Sequence, residues 1–293
     1  MKREVFTWRL VCPALFLEDN LMVKLIATDV DGTLLKDGTF DIDPAYDEIF
    51  AQLMDEGIKV VIASGRQYKS SMRLFPNTGS RLDYIADGGA TYRLDGRTNA
   101  YQQIPRDMVE GILADLAGLK DAQIDVSLNS SELCYVPNQG SPMHLWLRDS
   151  YRFDIAAMDA PNTCPDDQII KIAVYHPTSA ETALPKEFYD KWGDKLHISP
   201  AGNQWVDMVM PGVNKGTALA RIEELTGISP EETVVFGDNL NDLEMGAGAG
   251  RFYCVGNARD EVKALAHEVL EPYWQMGVLN KLKETLFEVR RKR

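Results

Sequence analysis

The chain is poor in cysteine and histidine, short of positive charge, and has no unbroken apolar run at its start long enough to cross a membrane. Its four cysteines, Cys12, Cys134, Cys164 and Cys254, are scattered without a Cys-x-x-Cys pair. That pattern excludes a zinc ribbon and predicts reduced thiols in a cytoplasmic protein. The histidines His144, His176, His197 and His267 form no metal-like pair, and each reads as structural or exposed. Against 44 acidic residues stand 31 basic ones, a formal net charge of −13, which argues against a nucleic-acid or anionic-membrane surface. An anionic substrate would need local cations set against this overall field. The basic run Arg290-Arg291-Lys292-Arg293 reads as the solvated end of a final helix, favoured by the helix dipole. Residues 1–21 are interrupted by Arg9 and lack a small-residue cleavage site, so they read neither as a signal peptide nor as a span. Met22 directly precedes the first strand, and residues 1–21 are treated as an N-terminal extension of open status.

What is present is enough apolar sequence for a large core: 45% hydrophobic residues in a chain of 293, a length suited to two domains. From Lys24 onward, β-branched strands alternate with helical stretches. The strands are read near 24–28, at Lys59–Ala63 and at Asp83–Ala86; a helix opens at Asp43-Pro44 and closes at Gly57. Near-continuous apolar strands separated by helices predict a parallel sheet covered on both faces. At Tyr92 the texture changes. A hairpin turn is read at Arg93–Arg97, followed by shorter strands near 123–128, 132–136, 168–175, 196–199 and 204–210. After Pro211-Gly212 the strand–helix alternation resumes, with a strand at Thr233–Gly237 and a final helix. The expected fold is α/β: a doubly wound, mostly parallel, Rossmann-like sheet built from residues 22–92 and 210–293, with a separate α+β domain inserted at 93–209.

Four motifs close core elements of this pattern: Asp29-Val30-Asp31-Gly32-Thr33, Ser64-Gly65-Arg66, Asn214-Lys215-Gly216 and Gly237-Asp238-Asn239-Leu240-Asn241-Asp242. In extended backbone, residues two apart share a face, so Asp29 and Asp31 can address one pocket at the carboxyl end of a strand, where open α/β sheets bind ligands. Carboxylates so close repel unless they share a proton or a cation. Ser64 and Gly65 offer a hydroxyl and an N–H at a helix start, and Lys215 offers a point charge at another. Phosphoryl transfer needs such positioning and charge neutralisation. With Asp238 and Asp242 added, the carboxylates outnumber the local cations, and Mg2+ is the natural counter-ion.

With these motifs in this order, from about Met22 to Leu286, the chain resembles the haloacid dehalogenase-like phosphatases, more narrowly the Cof-type branch with a C-proximal α/β cap. The resemblance implies that Asp29 attacks phosphorus and carries an aspartyl phosphate, with Asp31 as general acid and then base. It implies Mg2+ held by Asp29, Asp238 and the Asp31 carbonyl, with Asp242 near its water shell. Ser64, Gly65, Lys215 and Asn241 would bind the phosphoryl group, and Thr33 would brace the catalytic loop. One departure is that many relatives carry Asn-Gly-Ala where this chain has Gly88-Gly89-Ala90, so Gly88 is given no chemical role.

Each residue taken singly has a plainer reading. Ser64 alone is a helix N-cap, Lys215 alone a surface lysine, and Asn239, Asn241 and Asp242 alone are turn residues. Arg66 either faces phosphate or lies on a first helical turn, and it is left outside the catalytic set. Trp146, Tyr151 and Trp205 either line a pocket or fill the core of the insert. The function expected is hydrolysis of a small phosphorylated metabolite such as a sugar phosphate, nucleotide or phosphorylated cofactor, by a monomer or small homo-oligomer. The alternatives are a phosphomutase and a phospho-aspartate binding module without turnover. The insert is expected to cover the site and choose the leaving group without supplying chemistry.

Overall fold

A computed structural model describes residues 22–292 except 101, 122, 161, 162 and 202, so the extension read at residues 1–21 lies outside the described residues, with Cys12. Two sheets organise the chain. The first has eight strands: β1 (Leu25–Thr28), β2 (Lys59–Ala63), β3 (Asp83–Ala86), β4 (Thr91–Leu94), β5 (Arg97–Ala100), and, from the C-terminal part, β12 (Thr233–Gly237), β13 (Arg251–Val255) and β14 (Glu268–Leu270). Their order is β14-β13-β12-β1-β2-β3-β4-β5. The second, of six strands, runs β10-β11-β9-β6-β7-β8. Its members are β6 (Asp125–Asn129), β7 (Cys134–Val136), β8 (Ile155–Ala157), β9 (Lys171–Tyr175), β10 (His197–Pro200) and β11 (Trp205–Val209). Among the described residues no helix is long and apolar enough to cross a membrane.

β1 is the central strand, pairing in parallel with β12 on one side and β2 on the other. Leu25, Ile26 and Ala27 are all fully buried, as expected of a strand with helices on both faces. Helices Ala45–Asp55 and Gly277–Arg291 bury Phe50, Leu53, Leu282 and Leu286 against the sheet's core, and Lys215–Thr226 adds Leu219 and Ile222. The first of these starts where Asp43 accepts the Ala45 N–H at 2.8 Å, and Gly57 follows it at φ 82°. An Asn214–Thr217 capping box opens the helix Lys215–Thr226, and Gly227 ends it at φ 68°.

The hairpin read at Arg93–Arg97 is present, turning at Asp95 and Gly96 with positive φ. Its strands extend the first sheet: β4 pairs antiparallel with β3, and β5 with β4. The second sheet therefore begins at Asp125, not at the hairpin. Two short strands, β8 and β14, have no signal in the sequence pattern; at three residues each, they are too short to show a period.

In the second sheet alternation divides the faces. Ile172, Val174, Val206 and Met208 pack with Val109, Ile112 and Leu113 of the helix Arg106–Ala117. Lys171, Ala173, Trp205 and Asp207, one residue out of step, line a cavity shared with the carboxyl end of the first sheet.

Candidate active site

The parallel register brings the motifs together. Thr28 of β1 stands opposite Phe236 of β12 and Ile62 of β2, so the chain leaves all three strands at one edge, as Asp29, Asp238 and Ser64-Gly65. Asp29 stays anchored to that edge by its N–H, which donates to the Phe236 carbonyl at 2.9 Å. Gly32 adopts φ 85°, and a Cβ there would stand 2.4 Å from Asp238 Oδ2. Only glycine lets the first motif turn this close to the fourth.

Lys215 is buried between the two halves. Its Nζ donates to Asp29 Oδ1 at 2.5 Å and to Asp242 Oδ1 at 2.7 Å. Burial opposes its charge, but Asp242 and Asp29 outweigh that cost and hold the amine above its ordinary value. Asp242 uses its other oxygen to accept the N–H groups of Asp238 and Asn239, each at 3.0 Å. It thus braces both the lysine and the loop that carries Asp238. Thr33 donates to Asp238 Oδ1 at 3.0 Å, tying the first motif to the fourth.

Asp29, Asp238 and Asp242 each place a carboxylate oxygen within 4.8 Å of the others. Burial, and then repulsion from Asp242, push Asp238 up to about 7. Asp29 is raised well above the usual range, first by burial and further by Asp242 and Asp238, against the pull of Lys215. Three crowded carboxylates facing one ammonium are a donor set suited to a hard divalent cation.

A cavity of about 170 Å³ lies above these groups. Asp29, Asp31, Gly65, Asp238 and Asn241 contribute to its wall from the first sheet's edge. Ser64 does not reach that wall: it is fully buried, and its Oγ accepts the Arg66 N–H at 3.1 Å. Lys215, also buried, meets the cavity only through Asp29. Gly88 acts through its backbone, donating to the Ser64 carbonyl at 3.1 Å from φ 72°, with open space where a side chain would stand. Its neighbour Gly89 could carry none, since a Cβ there would lie 2.2 Å from the Asn214 carbonyl oxygen.

Arg66 precedes the short helix Tyr68–Met72 instead of lying on its first turn, and it lines the cavity. Its Nε and Nη2 reach Asp31 Oδ2 and Oδ1 at 2.8 and 2.5 Å, and Nη2 also donates to the Thr39 carbonyl at 2.7 Å. The Tyr151 ring covers the guanidinium at 4.6 Å, and the Tyr151 hydroxyl donates to Asp37 at 3.1 Å. Tyr151 and Trp205 line the cavity, whereas Trp146 packs beside Tyr151 away from its wall. Sequence reasoning missed Lys171, Asn129 and Asp207, which line the same cavity. The signal was the alternation Lys171-Ile172-Ala173-Val174-Tyr175, which sets a lysine on the face opposite the insert's apolar core.

An open, mostly parallel sheet with clustered carboxylates at its strand ends, roofed by a second sheet, defines an α/β enzyme of phosphoryl-transfer type. Residues 26–282 match the model of the haloacid dehalogenase-like hydrolases, and the chain belongs to that family. It is 25% identical over 266 residues to the 5-amino-6-(5-phospho-D-ribitylamino)uracil phosphatase of Escherichia coli strain K12, covering 91% of this chain and 97% of that one. It is 30% identical over 263 residues to the phosphoglycolate phosphatase of Methanoculleus marisnigri, covering 90% and 97%. A crystal structure from Eubacterium rectale superposes with a TM-score of 0.80 at 39% identity, covering 90% of this chain and 99% of that one.

Proposed function

We propose that this protein is a Mg2+-dependent phosphatase of small phosphorylated metabolites, working through an aspartyl phosphate on Asp29. The observation that carries this reading is the position of Asp29: buried, at the end of the central strand, held by Lys215 and opening onto the cavity beside Asp31. Similar proteins named for unlike substrates, a ribitylaminouracil phosphate and phosphoglycolate, support the small-metabolite class without choosing within it.

In this reading Asp29 attacks phosphorus as the ester P–O bond breaks, and Asp31 gives its proton to the departing alkoxide. Water then attacks the aspartyl phosphate, Asp31 takes the water's proton, and phosphate leaves. Lys215 and the Gly65 N–H spread the phosphoryl charge, with Asn241 at the cavity's rim. Asp29, Asp238 and the Asp31 carbonyl would hold Mg2+, which when bound neutralises charge on the phosphoryl oxygens. Asp242 contributes by holding Lys215 and the Asp238 loop.

We assign the catalytic core to the first sheet and its helices, residues 22 to about 100 and 210–292. The second sheet forms the cap that excludes water and shapes the leaving-group space. A cytoplasmic setting, a monomer or small homo-oligomer and the absence of nucleic-acid or membrane partners complete the proposal. The test is phosphate release from a panel of phosphorylated metabolites with and without Mg2+. Net phosphate release that EDTA abolishes is expected. Isomerisation of a sugar phosphate without net release would favour a mutase, and stable phosphorylation without turnover a binding module.

A further inference from the structure

We propose that Lys171, on β9 of the second sheet, is a positioning residue for the phosphoryl group, so that the cap completes the phosphate loop of the core. The inference rests on the phosphatase reading above. It also revises the expectation that the insert supplies nothing to the chemistry.

Lys171 is 4% exposed and lines the cavity together with Asp29 and Gly65. Its Nζ lies 3.4 Å from Asp207 on the neighbouring strand β11 and 3.7 Å from Asp87 of the core. Asp207 alone could balance a buried ammonium from within the insert. The shortest contact instead crosses to the core: Nζ donates to the Gly65 carbonyl at 2.9 Å. That carbonyl belongs to the same rigid peptide unit as the Arg66 N–H, which donates to Ser64 Oγ. Fixing the Gly65 carbonyl therefore fixes the turn that carries the Gly65 N–H at the cavity wall, a turn already closed by the Arg66 N–H on Ser64 Oγ. The next turn is tied in as well. Asp87 N–H donates to the Arg66 carbonyl and Gly88 N–H to the Ser64 carbonyl, while the Asp87 carboxylate faces the same ammonium. The Gly65 N–H has no hydrogen-bond partner among the described residues, as a donor kept for a ligand would not. Burial opposes the charge on Lys171, but Asp207 and Asp87 outweigh it and keep the amine above its ordinary value.

A residue acting on the phosphoryl side affects every ester alike, and it affects inorganic phosphate, which has no leaving group. The experiment is Lys171→Met, measured by inhibition with inorganic phosphate and by kcat/KM on p-nitrophenyl phosphate and on an alkyl phosphate. The expected result is a loss of at least about tenfold in all three, the scale of one hydrogen bond to a charged group. If Lys171 only seats the cap, losses would track leaving-group size and phosphate inhibition would stay within about twofold, which would overturn the proposal. Should Lys171→Met not fold, Lys171→Gln carries the same test with the same limits. A wild type that releases phosphate from no ester overturns the phosphatase reading and this inference with it. An active wild type matched by Lys171→Met overturns this inference alone.

Discussion

Arg66 holds both oxygens of Asp31 in a two-pronged pair, at 2.8 and 2.5 Å, while the Tyr151 ring of the second sheet's segment covers its guanidinium at 4.6 Å. The proposed acid/base is thus oriented by a residue of the Ser64–Arg66 loop, which is itself covered by the roof of the cavity. The guanidinium that aims Asp31 is thus the same one on which the roof packs.

Arg66→Lys keeps the charge but supplies neither the planar fork nor a face to stack on Tyr151. We expect kcat/KM to fall by about tenfold or more, roughly the worth of one charge-assisted contact. The loss should be larger on alkyl than on activated aryl phosphates, because misaiming Asp31 hurts proton transfer to a poor leaving group most. Steady-state kinetics on both ester types, with circular dichroism to confirm the fold, make the check. Equal losses on both would detach Arg66 from the proton transfer.

Asp29→Asn keeps the side chain's shape and removes the nucleophile and one proposed metal ligand. Turnover should vanish on all esters while the far-ultraviolet spectrum is unchanged. Residual activity near wild type would remove Asp29 from the mechanism. Asp31→Asn should act differently, slowing alkyl esters far more than aryl esters.

The core of this site was legible in the sequence because its signals are local. Apolar strands end in Asp29, Ser64 and Asp238, and their order fixes a parallel register that needs no side-chain detail. The arrangement of Ser64, buried behind the Arg66 N–H, was not legible, since it depends on how a three-residue loop folds back. Nor was Lys171: a lysine between two apolar residues in a strand reads equally as a solvated face, and only the sheet placed opposite decides. The hairpin at Asp95-Gly96 was visible as a turn, but which sheet its strands join is a matter of tertiary pairing.

Asp87 predicts a pH dependence of stability. It is fully buried at φ 52°, accepts from Asn129 Nδ2 at 2.9 Å, and faces Lys171. Burial pushes its carboxyl up to about 6, against the pull of Lys171 and Asn129. A raised folded-state value means that the native protein binds the proton more tightly than the unfolded chain. The stabilisation is therefore full below about pH 4 and is lost as pH rises through about 6, by up to about 3 kcal/mol. Asp87→Asn stays neutral, so denaturant titrations should show the wild type losing ground to this variant between pH 4 and 7. A difference that stays level would show that Lys171 compensates the charge in full.

Gly32→Ala tests the join between the first and fourth motifs. At φ 85° an alanine costs roughly 1–2 kcal/mol in backbone strain, and its Cβ would stand 2.4 Å from Asp238 Oδ2 and 2.9 Å from Asp238 Cγ. The side chain of Asp238 must swing away, breaking its contact from Thr33, while the main chain can stay in place. If Asp238 helps to hold Mg2+, the concentration needed for half-maximal activity should rise by about tenfold or more, the range seen when a metal ligand loses its support. Gly57→Ala separates strain from site: Gly57 has φ 82° but open space where a methyl would stand, with nothing within 4 Å. Both variants should lower the melting temperature, and only Gly32→Ala should raise the Mg2+ requirement. A shared rise would trace the effect to lost stability, and no rise in either would remove Asp238 from the metal site.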